Sequence, residues 1–143
     1  MARAITTEQK QAFEVGPQIR SSNTNMIVKN ERSKRAILGA LGDTELQKIL
    51  DAAMFNSKSV NQIVRDTGIP HTTAYRKIRW HLDEKLLVVD KIDITEDGKK
   101  SSLFRTVLKS FNIKYEYNNV IIEAEQNFDT LKKITERFFS LDS

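Results

Sequence analysis

The sequence predicts an α+β fold, mainly α, and three features of its apolar pattern carry that prediction. From Ser33 to Lys85 apolar residues recur at offsets of three and four, the spacing of successive helices that each bury one face. At Leu87 the period drops to two on either side of a glycine-containing turn, as in a hairpin. Near the end Leu131, Ile134, Phe138 and Leu141 return to helical spacing as a heptad seam.

Composition bounds the function. At 143 residues the chain suffices for one domain with a real core. The absence of cysteine excludes a disulfide framework and thiolate zinc sites. His71 and His81 are the only imidazoles, so no metal and no cofactor is expected. No apolar run reaches membrane-spanning length and the polar start lacks a signal peptide's apolar region, so a cytoplasmic, nucleoid-associated protein is expected. The formal net charge is only +4, but it is unevenly spread. Residues 1–35 carry 7 basic against 3 acidic side chains and residues 65–109 carry 10 against 7, whereas residues 110–143 carry 4 against 6. Two basic surfaces suit a polyanion; ordinary solvated charge is the plainer alternative.

Taken in order, residues 1–32 read as a flexible basic arm, with Gly16-Pro17 and a Ser/Asn/Thr run, a helical turn over Thr7 to Phe13 and a short strand over Met26 to Val28. Arg20, Lys29, Arg32, Lys34 and Arg35 are its candidate phosphate contacts. Residues 33–109 form the expected DNA-binding domain. Ala36, Ile37, Ala40 and Leu41 line a first helix stopped by Gly42. Asp43 caps a second, with Leu46, Ile49, Leu50 and Ala53 inward, ending near Phe55. Ser59 caps a third, running to Thr67.

Gly68 can take the left-handed backbone that ends this third helix, and Pro70 suits the first turn of a fourth, about His71 to Lys85. Ile69 plugs the corner. This is a helix-turn-helix. Leu87, Val89, Ile92 and Ile94, the turn Glu96 to Lys100, and the return from Leu103 to Leu108 add a hairpin, which makes a winged helix. A second hairpin is expected over residues 110–125, with Asn112 to Tyr117 and Val120 to Ala124 flanking Asn118-Asn119. Residues 126–143 read as a terminal dimerisation helix whose interface is Leu131, Ile134, Phe138 and Leu141, the alternative being the same helix folded onto its own subunit.

With Ile78 as the buried direction and 100° per residue, Thr72, Arg76 and Arg79 fall on the opposite half of the fourth helix, with Thr73 at its edge. These are the candidate base-reading residues, Arg76 central and able to grip a guanine with two hydrogen bonds. Ser59, His71, Tyr75, Lys77, Lys99, Lys100 and Arg105 are the candidate contacts to the DNA backbone, the hairpin over about 87–108 being expected on the backbone or in the minor groove. His81 falls near the apolar stripe and reads as structural. Trp80 points the same way as Arg76, and the sugar backbone, the arm and another subunit all suit it. Glu123 with Glu125, and Asp83 beside Glu84, lack any accompanying nucleophile, metal cluster or phosphate loop, so no enzyme is expected.

Several segments resemble the winged-helix transcription regulators of the ArsR-like type. Ala40-Leu41-Gly42-Asp43 with Leu46, Ile49 and Leu50 resembles the entry to that family's first core helix; Gly68 to Arg76 resembles the turn and start of its recognition helix, and Leu82-Asp83-Glu84-Lys85 leads to Leu87 and the wing. The likeness covers residues 36–108 and implies double-stranded DNA as partner, a homodimer, and no particular small-molecule effector. It departs at Leu86, where the family has glycine, and in lacking the cysteine or clustered histidine ligands of its metal sensors. A nonspecific architectural DNA binder and a winged-helix protein interaction module are the competing expectations.

Overall fold

The structure, a computed structural model, describes residues 25–127. Its elements run β1 (Asn25–Ile27), α1 (Glu31–Leu41), α2 (Thr44–Ala52), α3 (Val60–Thr67), α4 (His71–Asp83), β2 (Leu87–Ile94), β3 (Lys100–Thr106), β4 (Leu108–Glu116) and β5 (Asn119–Gln126).

Side chains at the helix starts take up the backbone N–H groups that have no partner within the helix. Asn30 accepts from Ser33 N at 3.0 Å and so starts α1 two residues before the expected Ser33. Asp43 accepts from Leu46 N, and Ser59 with Gln62 forms a reciprocal capping box. Each such cap is worth about 1 kcal/mol. The faces so positioned bury Ala36, Ile37 and Ala40 from α1, Leu46, Ile49 and Leu50 from α2, and Ile63 from α3. Gly68, at φ +77°, ends α3 in the left-handed conformation, and Ile69 fills the corner, 3% exposed.

The expectation of a mainly α chain closed by a terminal dimerisation helix is corrected. Among the described residues helix and strand are close to balance, 40% and 35%, in four helices and five strands, and the C-terminal part is a sheet. The short strand expected over Met26 to Val28 forms as β1, Asn25–Ile27, and pairs with one edge of β5, giving the order β1-β5-β4. The excess of strand lies in the second hairpin. The hairpin β4-β5 is longer than expected, because β4 begins at Leu108 and β5 runs to Gln126. Its turn is Tyr117-Asn118, at φ +51° and +62°, closed by the pair Glu116 and Asn119, so Tyr117 leaves the first strand and Asn119 joins the second.

At the other end, Gln126 pairs with Leu108 where a helix was expected to begin. Asn127 then donates from its backbone to Val107 O and from Nδ2 to Met54 O and Thr106 Oγ1, which holds it extended. Leu131, Ile134, Phe138 and Leu141 lie outside the described residues, as does the arm up to residue 24.

Sheet and helices share one core. Val28, Ile122 and Ala124 join the helical residues in a single buried cluster, and Lys34 Nζ on α1 donates to Val120 O at 2.9 Å beyond the end of β1. The separate hairpin β2-β3 gains a third short partner where Lys58 pairs with Phe104. No helix among the described residues is long and apolar enough to cross a membrane.

Candidate nucleic-acid interface

Helix α4 has two sides with different neighbours. Toward the core it buries Ala74, Ile78 and His81. Away from it His71, Thr72, Tyr75, Arg76 and Arg79 are exposed and Thr73 is half-buried. Arg76 makes no hydrogen bond or ion pair among the described residues, so its guanidinium is available to a ligand. The Arg79 guanidinium lies over the Tyr75 ring, 5.8 Å from its centre, a cation–π contact that holds the side chain along the helix. Pro70 precedes α4 without a side-chain cap, so first-turn N–H groups at the exposed end lack side-chain partners.

A cleft separates this helix from the β2-β3 hairpin. Ile78, Leu82, Val89 and Phe104 are apolar residues lining it, while Arg79 and Lys100 bring positive charge from its two sides. Tyr75, Ser59, Asn61, Ser101 and Ser102 also line it. The sequence reading missed Asn61, Ser101 and Ser102: nothing in their spacing marks them, and only the folding of β3 toward α3 and α4 brings them in. At the hairpin tip Thr95 N bonds Lys99 O and Gly98 turns at φ +85°, leaving Lys99 exposed beside Lys100.

Other candidates lie elsewhere. Lys77 Nζ is drawn toward α2, 2.6 Å from Asp43 Oδ2 and 3.4 Å from Glu45 Oε1, and is largely buried. The bond to Asp43 raises the Lys77 pKa and lowers that of Asp43. Lys77 is therefore a brace between helices. Ser59 Oγ is committed to capping Gln62 N, although the residue still lines the cleft. Arg105 pairs with Val88 on the opposite face of the hairpin and donates from Nε to Met54 O at 3.4 Å, away from the cleft.

His81 is fully buried, with Nε2 3.0 Å from Leu46 O. A carbonyl can only accept, so Nε2 carries the proton, and Nδ1 has no hydrogen-bond partner among the described residues. Burial pushes the imidazole down to about 4, keeping it neutral. Trp80 sets its ring edge-on to this histidine, 5.4 Å between centres, and packs half-buried against the core. It also lines a shallow groove with Leu46, Arg76 and Lys77.

Comparison with family models, curated proteins and solved structures finds no match. What the interface can do rests on its own chemistry. It offers an exposed helix face with one unpaired arginine, hydroxyls at the helix start, and a cleft with positive charge on both sides. Among the described residues no group of histidines and carboxylates is placed to hold a metal ion.

Proposed function

We propose that this chain is a sequence-specific, dimeric regulator of transcription that binds double-stranded DNA with α4 in the major groove and the β2-β3 hairpin alongside. The observation that carries the reading is Arg76: exposed, without a partner, midway along the outer face of a helix that Gly68, Ile69 and Pro70 set at a sharp corner to α3. An arginine so presented can grip the O6 and N7 of guanine with paired hydrogen bonds. Thr72 and Thr73 bond phosphate or meet a thymine methyl, and the first-turn N–H groups add dipole-assisted phosphate contacts. Arg79 and Lys100, on the two sides of the cleft, suit one DNA strand passing between helix and hairpin.

Two copies would read an inverted repeat with half-sites about one helical turn apart. The test is selection of bound sequences from random DNA, followed by binding of the selected site across a salt series and a mass measurement in solution. A recovered inverted repeat and a dimer support the reading. Equal affinity for all sequences would reassign the protein to nonspecific packaging of DNA, and no binding at low salt would remove DNA as the partner.

A further inference from the structure

The sheet β1-β5-β4 has one long open edge, since no described strand pairs with the outer side of β4. The direction of its backbone groups follows from the strands beside it. Val28 N donates to Ile122 O at 2.9 Å, so Ile122 turns its N–H and C=O toward β1. In an antiparallel sheet both groups of a residue point to the same neighbour, and the direction alternates along the strand. Ile113, opposite Ile122, therefore directs its N–H and C=O away from β5, as do Phe111 and Tyr115 two positions to either side. These backbone groups have no partner among the described residues.

Side chains do not block this edge. The bulge of β4 sits at Lys109, between the pair Leu108 with Gln126 and the pair Ser110 with Glu125, and leaves residues 110–116 regular. Lys114, whose charge would repel an incoming strand, is ion-paired with Glu116 at 3.3 Å, and no proline interrupts the run. Edges of this kind are templates for another strand, and folded proteins ordinarily guard them. On the face shared with the core, Phe111 and Ile113 are half-buried and Tyr115 is 68% exposed, an apolar row that the helices leave partly uncovered.

We propose that a second copy of this chain covers the edge, β4 pairing antiparallel with β4 across a twofold axis at Ile113 and joining the two sheets into one. The inference rests on the dimeric part of the reading above and supplies its interface. Ile113 is the midpoint of residues 110–116, so an axis there uses the whole regular run. Ile113 then meets its own copy and Phe111 meets Tyr115 of the second copy, each pair exchanging two backbone hydrogen bonds and lying side by side on the core face. On the other face Asn112 meets Lys114 and Ser110 meets Glu116, with no like charges directly opposed. An axis at Lys114 would set lysine against lysine, and one at Asn112 would run Tyr115 into the bulge. This self-complementarity favours a second copy over an unrelated peptide. An axis normal to the sheet also keeps both helical layers on one side, as two reading helices on one duplex require.

Cysteine cross-linking tests the register, because the chain has no cysteine of its own. Cα atoms paired across the axis lie about 5.5 Å apart, within disulfide reach. Under a mild oxidant Ile113→Cys is expected to give a covalent dimer. Phe55→Cys, 71% exposed in the loop after α2, is expected to give none. Sedimentation equilibrium supplies a second measurement. Tyr115→Pro removes an outward N–H from each copy and none that bonds β5, a place where an edge strand tolerates proline. The dimer dissociation constant should rise about thirtyfold for the two hydrogen bonds lost. If that variant loses its circular dichroism, cross-linking alone decides.

A parent chain that stays monomeric throughout would overturn both this pairing and the dimeric reading. A dimer that Ile113→Cys fails to cross-link, or that a folded Tyr115→Pro variant forms as tightly as the parent, would overturn the edge pairing alone. A cross-linked dimer that binds no DNA at low salt would overturn the functional reading and leave the pairing standing.

Discussion

The two sides of α4 differ in how far their side chains are committed to the fold. Toward α2, Lys77 is ion-paired with Asp43 and Glu45, His81 bonds Leu46 O, and Trp80 leans edge-on against that histidine. Toward solvent Arg76 has no partner among the described residues, and toward the β2-β3 hairpin Arg79 is held only by exposed Tyr75, through a ring contact and a side-chain hydrogen bond. Adjacent residues of one helix thus have opposite fates, decided by a step of about 100° around its axis. A side whose polar atoms are already paired holds the helix in place, and that fixed position lets the unpaired side present a rigid pattern.

The sharpest way to break this contrast is to measure stability on each side. Leu46, 7% exposed, packs in the α2–α4 junction, and Leu46→Ala should destabilise by about 2 to 5 kcal/mol, transfer and cavity terms together. Arg79→Ala should stay within about 0.5 kcal/mol, since it removes no buried group. Urea unfolding of both variants checks the pair. Comparable losses would mean that the cleft side is structural after all.

Acid should act on the committed side next. His81 titrates near its ordinary value of 6.5 when unfolded and at about 4 when folded. The unfolded chain therefore binds the extra proton first. The stability that neutral His81 permits is full above pH 6.5 and is lost progressively as pH falls toward 4, by about 3 kcal/mol in all. Protonation would force a charge and an unpaired Nδ1–H into a site with no acceptor. In unfolding measured from pH 7 to 4, the H81L variant should lack this component of the slope; an unchanged slope would mean other groups carry it.

Neighbouring substitutions should separate the two roles. Arg76→Ala should relax preference at one base pair, costing about 1 to 3 kcal/mol on the selected site and little elsewhere. Lys77→Met should instead lower stability by about 1 kcal/mol while leaving the preferred sequence unchanged, because it dissolves a partly buried ion pair. Competition binding on single-base variants of the site gives both answers. A changed sequence preference in the Lys77 variant would return that residue to the interface.

How legible these sides were in the sequence follows from the range of the forces involved. The caps Asp43 and Ser59 and the corner from Gly68 to Pro70 act within four residues, so local spacing reveals them. Angular placement from Ile78 put Arg76 and Arg79 outward, because helical geometry is also local. It could not show that Lys77 meets Asp43, a partner 34 positions earlier. Strand register was less readable still. Nothing before the fold marks Asp90 as a bulge, since that depends on Phe104 and Leu103 opposite. Likewise β1 lies beside β5 only because Met26 meets Ala124.

The smallest expected effect lies at Lys85, where the chain leaves α4 for the hairpin. Leu86 N bonds His81 O and Lys85 N bonds Leu82 O, the paired closure of a helix end whose pivotal residue is left-handed. Lys85 fills that position at φ +64°, a conformation that crowds its Cβ and that glycine adopts without cost. The lysine has a compensating merit, since a positive charge at a helix C-terminus is favourable by a few tenths of a kcal/mol. Lys85→Ala removes the charge and keeps the crowding, so it should destabilise slightly. Lys85→Gly removes both, and should exceed the alanine variant by about 1 kcal/mol in stability while gaining only about half of that over the parent. If glycine and alanine behave alike in thermal unfolding, the left-handed end is not under strain, and the hairpin's position relative to α4 must be set by the buried pair Leu86 and Leu87 instead.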